Sequence, residues 1–308
     1  MSPKLERRLI RACQAGIMLG CAFIVWTVLI PPWVRVPALA LLGRACGCTL
    51  EDVEEAAEKL SRIYETRQHL AGTLRLVRRE EGGLSLWETP DGLLWCPARS
   101  EWGLALVLAE QAVDVYGEDG YRVRPGDIVL DCGADVGVFA RTALKAGAER
   151  VVAIEVVPDD VECLRRTFEG EIQAGRLIVY PKGVWDREGS LSVYLEGGAD
   201  TLLPPNVGAR PGPEVPLTTI DRIVEELGLA RVDFIKMDIE GAEERALAGA
   251  RQTLARFKPR LAIATEHRPR QAESVTAAVL AARPDYESKV GYCIDRRWWV
   301  EPLIMHYR

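Results

Sequence analysis

Hydrophobic and polar positions follow three regimes along the chain. From Ala12 to Val34 there are 23 residues without a charged side chain. Wound as an α-helix rising about 1.5 Å per residue, this run reaches roughly 35 Å, more than the ~30 Å hydrocarbon core of a bilayer. A membrane helix is therefore expected there, ended by Pro31-Pro32, with Trp26 and Trp33 at interfacial depth. The run has no convincing small-residue cleavage site at its end, so it reads as a retained anchor and not a removed signal peptide. Val36 to Leu42 is apolar but too short to span.

The second regime is helical, then mixed. Thr49 with Asp52 three residues on opens a helix whose apolar stripe is Val53, Ala56, Ala57, Leu60, Ile63, Tyr64 and Leu70. Residues Gly82 to Gly120 carry Trp87, Trp95 and Trp102 and read as short strands followed by a helix near Leu104 to Tyr116. In the third regime Ile128 to Asp131, Val151 to Ile154, Leu177 to Tyr180, Val232 to Met237 and Leu261 to Thr265 read as strands, with helical patterns between most of them. Strand and helix in turn predict an α/β fold, a doubly wound Rossmann-like parallel sheet. Glu287 to Cys293 and Trp298 to Leu303 predict a C-terminal antiparallel hairpin, and the glycine- and proline-rich stretch 196–216 predicts a loop over the sheet edge, either a substrate lid or a passive connection. The division expected is an anchor region at 1–48, a helical and strand lead-in at 49–103 and a catalytic domain at 104–308.

Composition changes little: 48% apolar and 27% charged residues are ordinary for a globular protein. A net charge of -6 gives no electrostatic reason to expect nucleic acid as a partner, and a small molecule or glycan is easier to support. The eight cysteines are scattered, Cys46 and Cys48 forming an isolated C-x-C, so reduced thiols facing the cytosol are expected and no disulfide framework.

Candidate chemistry lies at two strand ends. The turn Asp131-Cys-Gly133-Ala-Asp135-Val-Gly137 leads from a strand into a helix, and its glycines let the backbone approach a ligand. Its G-x-x-x-G spacing is not the G-x-G-x-x-G of a dinucleotide site. Asp131 and Asp135 would repel a pyrophosphate and welcome a cation such as the sulfonium of S-adenosylmethionine. Glu155, 24 residues after Asp131, ends the next strand where it can accept hydrogen bonds from ribose hydroxyls. Asp131, Gly133, Asp135, Gly137 and Glu155 are thus the expected cofactor residues, with Asp238.

In Phe234-Ile-Lys236-Met-Asp238-Ile-Glu240 the strand period puts Phe234, Lys236, Asp238 and Glu240 on one side. Lys236 needs a carboxylate partner, with Asp238 or a neighbour expected. Gly241 opens a helix bearing Glu243, and the next strand ends in Thr265-Glu266-His267. Asp238, Glu240 or His267 is the expected general base, with Lys236 tuning the carboxylates. An ion-paired strand end accounts for one or two of these charges. Asp238 and Glu266 offer an alternative in which two oxygens hold magnesium, and no metal ligand is assigned.

The strings Gly126 to Gly137, Ala153-Ile-Glu-Val-Val-Pro158, Thr219-Ile-Asp221 and Val232 to Glu243 resemble the FkbM family of S-adenosylmethionine-dependent methyltransferases over roughly Leu104 to Tyr292. The resemblance implies a seven-stranded methyltransferase sheet and O-methylation of a hydroxyl on a sugar, glycolipid, polyketide or similar natural product. Asp135 stands where the family commonly has asparagine, and Val156 where proline often follows the acid. The rival readings are a nicotinamide-dependent oxidoreductase and a membrane-tethered, non-catalytic nucleoside-binding protein. Lys4, Arg7, Arg8 and Arg11 precede the apolar run and only Arg35 and Arg44 closely follow, which favours an exported carboxyl domain. A cytosolic cofactor argues the opposite, and given that priority the expectation is a membrane-anchored protein with its catalytic domain facing the cytoplasm.

Overall fold

The structure, a computed structural model, describes residues 30–194, 201–203 and 211–308. The chain opens with α1 (Pro32–Leu41) and α2 (Leu50–Thr73), followed by β1 (Arg75–Arg79), β2 (Leu84–Thr89), β3 (Gly92–Pro97) and α3 (Glu101–Ala112). Alternation then begins with β4 (Ile128–Cys132), α4 (Val138–Lys145), β5 (Arg150–Ile154), α5 (Pro158–Thr167), α6 (Glu169–Gln173) and β6 (Leu177–Tyr180). After β7 (Gly183–Val184), β8 (Gly189–Tyr194), β9 (Pro211–Thr218) and α7 (Ile220–Glu226) come β10 (Phe234–Met237), α8 (Glu243–Ala248), α9 (Arg251–Phe257) and β11 (Arg260–Ala264). The chain closes with α10 (Gln271–Ala282), β12 (Ser288–Asp295) and β13 (Val300–Tyr307).

Seven strands form the central sheet in the order β12-β13-β11-β10-β4-β5-β6. β11, β10, β4, β5 and β6 are parallel, and β13 runs antiparallel between β11 and β12. The sheet reverses its winding at β4, so the carboxyl ends of β4, β5 and β10 flank the crevice where α/β sheets bind ligands. Side-chain alternation fills both faces. Val129, Val151, Ala153 and Phe234 join one apolar cluster, while Leu130, Val152, Ile235 and Met237 join the other.

The lead-in shares the first of these clusters. Thr49 and Asp52 form a reciprocal capping box at the start of α2, and Val53, Ala56, Ile63 and Leu70 are its buried positions. Ala57 and Tyr64, expected on the inner stripe, face out because the helix buries a single narrow seam. Ala56, Ile63 and Leu70 pack with Leu104, Val129 and Phe234, so residues 50–112 complete the core under the sheet.

Part of the glycine- and proline-rich stretch departs from the predicted loop. Residues 211–216 belong to β9, which is antiparallel to β8 and parallel to β7, while residues 196–200 and 204–210 of that stretch lie outside the described residues.

Most of the Ala12–Val34 run also lies outside the described residues. Among the described residues no helix is long and apolar enough to cross a membrane. Pro31 and Pro32 open a helix, Pro31 as the N-cap of α1 and Pro32 as its first residue, where a missing N–H costs nothing, and the helix they were expected to end lies outside the described residues.

One expectation about cysteine is overturned. Cys48 and Cys293 are joined in a disulfide across 245 residues of sequence, a separation that no local spacing rule detects. Its surroundings are Val36, Leu39, Val53 and Val300, so it ties α1 and the start of α2 to the C-terminal hairpin. Such bonds belong to oxidising compartments, which runs against the cytosol-facing thiols expected. Replacing Cys48 and Cys293 by serine should lower stability by about 2–4 kcal/mol, read from urea unfolding. An unchanged midpoint would show that the bond contributes nothing.

Candidate active site

The turn after β4 is held by backbone and side chain together. The Gly133 and Ala134 amides both donate to the Ile154 carbonyl, at 3.0 and 3.1 Å, and the Asp238 amide donates to the Cys132 carbonyl at 3.1 Å. Gly133 has φ +78°, and a β-carbon there would overlap the Asp238 carbonyl oxygen. Only glycine lets the ends of β4 and β10 approach this closely. Gly133→Ala should therefore cost on the order of 2–4 kcal/mol of stability, measured by urea unfolding, whereas a wild-type midpoint would mean that the two strand ends are further apart than this.

Asp135 has φ +47°, a left-handed conformation that aspartate, asparagine and glycine tolerate best. Its amide donates to Glu155 Oε2 at 2.8 Å, and Glu155 Oε1 accepts from the Val156 and Val157 amides at 2.6 and 2.9 Å. Glu155 thus clamps the two turns that follow β4 and β5. Burial raises its pKa, opposed by these three amides. Burial and the neighbouring Glu155 push the Asp135 carboxyl up to about 7.

These turns line a cleft of about 1040 Å³, counted with its open mouth, whose far wall is Val107, Glu110, Gln111 and Tyr116. Gly133, Asp135, Glu155, Lys236, Asp238 and Glu240 all line it. Two expected cofactor residues do not. Asp131 is fully buried beneath the turn, and Gly137, the N-cap of α4 at φ +90°, faces Phe168 and Leu164, whose side chains a β-carbon would overlap. Both residues shape the turn from behind.

Lys236 pairs differently from the first expectation. Its Nζ donates to the Gly133 carbonyl at 2.6 Å, lies 3.4 Å from Asp131 Oδ1 and sits over the Tyr116 ring. Burial opposes its charge, but Asp131 and Asp238 outweigh burial and raise its pKa. Asp238 instead accepts the Tyr116 hydroxyl on Oδ2 at 2.6 Å. Burial raises the Asp238 carboxyl, yet Lys236, His267 and that hydroxyl together hold it below its ordinary value.

His267 Nε2 lies 3.4 Å from both Asp238 Oδ1 and Glu240 Oε2, and its Nδ1 lies 3.4 Å from Glu243 Oε1. Burial works against the imidazolium, but Glu243, Asp238 and Glu240 raise its pKa to about 9. The three carboxylates favour its imidazolium form, which suits a countercharge better than a general base. Burial pushes Glu240 up to about 7, against the pull of His267 and with the push of Asp238, Glu243 and Glu266. Glu240 stands at φ +54°, and its carbonyl accepts from Thr201 Oγ1 at 3.1 Å.

Glu243 is buried and accepts from the Ile239 amide at 3.0 Å and from Gln271 Nε2. Gln271 in turn accepts from the His267 amide at 3.1 Å. Tyr116 and Glu110 carry no sequence signal as site groups because they reach the site from a segment more than a hundred residues away, and Gln271 carries none because a lone glutamine at a helix start shows no charge pattern. Asp238, Glu240 and His267 each offer one ligand atom within 4.8 Å of the others, a set able to hold a divalent cation. Glu266, paired with Asp238 in the magnesium alternative, lies 3.7 Å from Arg296.

Residues 131–287, just over half of the chain, match the family model of the methyltransferase FkbM domain. The chain is 28% identical to the AMB antimetabolite synthetase AmbE of Pseudomonas aeruginosa, over 44% of this chain and 8% of that protein. It is 26% identical to the 31-O-demethyl-FK506 methyltransferase FkbM of Streptomyces tacrolimicus, over 44% of this chain and 63% of that protein. The matches therefore span less than two thirds of either relative. Among solved structures, the methyltransferase FkbM of Methylobacillus flagellatus KT superposes with a TM-score of 0.45 at 20% identity, covering 83% of this chain and 60% of that one. With the matched segment running from the Asp131 turn through Lys236–Glu243 and past the end of α10, the chain belongs to the FkbM methyltransferase domain family.

Proposed function

We propose that this protein transfers a methyl group from S-adenosylmethionine to a hydroxyl of a sugar, glycolipid or other natural product. The observation that carries the reading is the cleft itself, in which Asp135 and Glu155 on one side meet Asp238 and Glu240 on the other, with His267 outside its lining and 3.4 Å from both of the latter. A wall of carboxylates suits a cationic ligand and disfavours a pyrophosphate. The donor set thus fits the cofactor, with Asp135 and Glu155 supporting its nucleoside end and Asp238 near its charged end. When bound, S-adenosylmethionine supplies an electrophilic methyl carbon on a leaving sulfur.

The protein's own part is placement and one proton. Glu240, poised near neutrality, takes the proton of the acceptor hydroxyl as the new O–C bond forms. His267, charged and held by Glu243, keeps Glu240 and Asp238 side by side despite their like charges. Tyr116 fixes the Asp238 carboxylate from the opposite wall. Holding the oxygen in line with the carbon supplies much of the acceleration. Lys236 touches neither reactant in this account and acts by holding the Gly133 turn.

The test is release of S-adenosylhomocysteine when purified full-length protein is given labelled cofactor and fractionated membrane and small-molecule extracts. Label entering a base-stable ether supports the reading. Label entering nitrogen or carbon would retain a methyltransferase and overturn the hydroxyl acceptor.

A further inference from the structure

α1 is built inside out. Its one charged residue, Arg35, is buried against the domain, where Nε donates to Asp295 Oδ2 at 2.9 Å, and Val36 and Leu39 share that inner face. The helical period places Trp33, Val34, Pro37 and Leu41 on the opposite side. Trp33 is 65% exposed, Leu41 90% and the following Leu42 67%. A surface helix that faces water carries its charges outward, whereas this one buries its arginine and turns an apolar face out.

The β12–β13 turn continues the same surface. The Val300 amide donates to the Arg44 carbonyl at 2.8 Å, the Arg35–Asp295 pair joins the turn to α1, and the Cys48–Cys293 bond fixes both. Trp299 is 43% exposed on this turn, beside Arg296 and Arg297. Exposed tryptophan and leucine bordered by arginine is the composition that settles at the headgroup level of a bilayer. The chain itself says what lies against it: α1 begins within the last residues of the charge-free run Ala12–Val34, so the sequence delivers this helix from an apolar segment.

We propose that the outer face of α1 together with the β12–β13 turn is a docking surface for a phospholipid bilayer. Arg296 on that turn lies 3.7 Å from Glu266, the neighbour of His267, which in turn approaches Asp238 and Glu240 of the cleft, so the surface lies on the side of the molecule where those two carboxylates stand. Resting on the methyl-transfer reading, this assigns the acceptor to amphiphiles whose hydroxyl stands at the membrane surface, such as the head of a lipid-linked sugar.

The experiment places the photoreactive residue p-benzoylphenylalanine at Leu41 of the full chain, reconstituted with vesicles of phosphatidylcholine and phosphatidylglycerol. The same residue at Leu93, exposed on β3 in the separate β1-β2-β3 sheet and held by Arg141 of α4, is the control. Irradiation should attach lipid at position 41 on the order of tenfold more than at position 93, as an interfacial helix requires. Attachment at position 41 to this chain or to a second copy, or equal labelling at both positions, would overturn the proposal. Because labelling needs no turnover, its failure is distinct from failure of the methyl-transfer reading, which cofactor binding on the same samples reports.

Discussion

Lys236→Met is expected to destabilise the protein by about 3–5 kcal/mol, the cost of leaving one partner of a buried ion pair uncompensated. Asp131 is 0% exposed, and among the described residues its two oxygens accept no hydrogen bond and the Lys236 ammonium at 3.4 Å is its one adjacent countercharge. Burial already pushes the Asp131 carboxyl up to about 6 although Lys236 pulls it down. Without the lysine it rises further, and a carboxyl whose folded pKa exceeds its unfolded value costs stability increasingly as pH rises between the two. The deficit of Lys236→Met should therefore grow from pH 4 to pH 8. Adding Asp131→Asn removes the buried charge and should recover much of the loss, a coupling that a double-mutant cycle in urea reads directly. A deficit that is small, independent of pH and additive with Asp131→Asn would show that the pair is not what holds the Gly133 turn.

Glu240→Gln should lower kcat on the order of 10²- to 10⁴-fold, the range for loss of a positioned general base, while cofactor remains bound. Wild-type kcat/KM, which reports the free enzyme, should rise with pH through about 7 as Glu240 ionises and fall through about 9 as His267 loses its proton. Glutamine at position 240 should remove the lower limb and leave the upper. His267 carries a matching stability signature. Its folded pKa lies above the ordinary value of about 6.5, so its contribution is complete below that pH and is lost as pH rises through about 9. Unchanged turnover in Glu240→Gln would transfer the role to another acid, with Glu110 next, since it lines the same cleft and is raised to about 7 by burial.

Local patterns revealed the sheet but not its cross-links. Strand ends at Ile128, Ile154, Leu177 and Met237 were legible to within a residue, because buried parallel strands read as short apolar runs bounded by turns. The Thr49 cap and the terminal hairpin were legible for the same reason. Pairings between distant elements were not. Tyr116 meets Asp238 across 122 residues, and Cys48 meets Cys293 across 245. Lys236 was correctly read as needing a carboxylate, but strand geometry points Asp131 of the neighbouring strand at it, in register at the same level, and Asp238 beyond the strand end turns toward Tyr116 and His267. The role of His267 was not legible either, since an imidazole serves as a base or as a countercharge according to how many carboxylates surround it, and three do. β9 was missed because Pro211, Pro213 and Pro216 argue against a central strand, and it belongs to a small separate sheet.

Titration calorimetry of the full-length protein with S-adenosylmethionine, and in parallel with NAD, tests the central claim most directly. The acid-lined cleft predicts saturable one-to-one binding of S-adenosylmethionine, weakened by Asp135→Ala, with no heat from NAD. Because a cationic ligand lowers the raised pKa values of Asp135 and Glu240, binding near pH 7 should also release protons, seen as a dependence of the heat on the buffer. Saturable binding of NAD with none of S-adenosylmethionine would contradict the account.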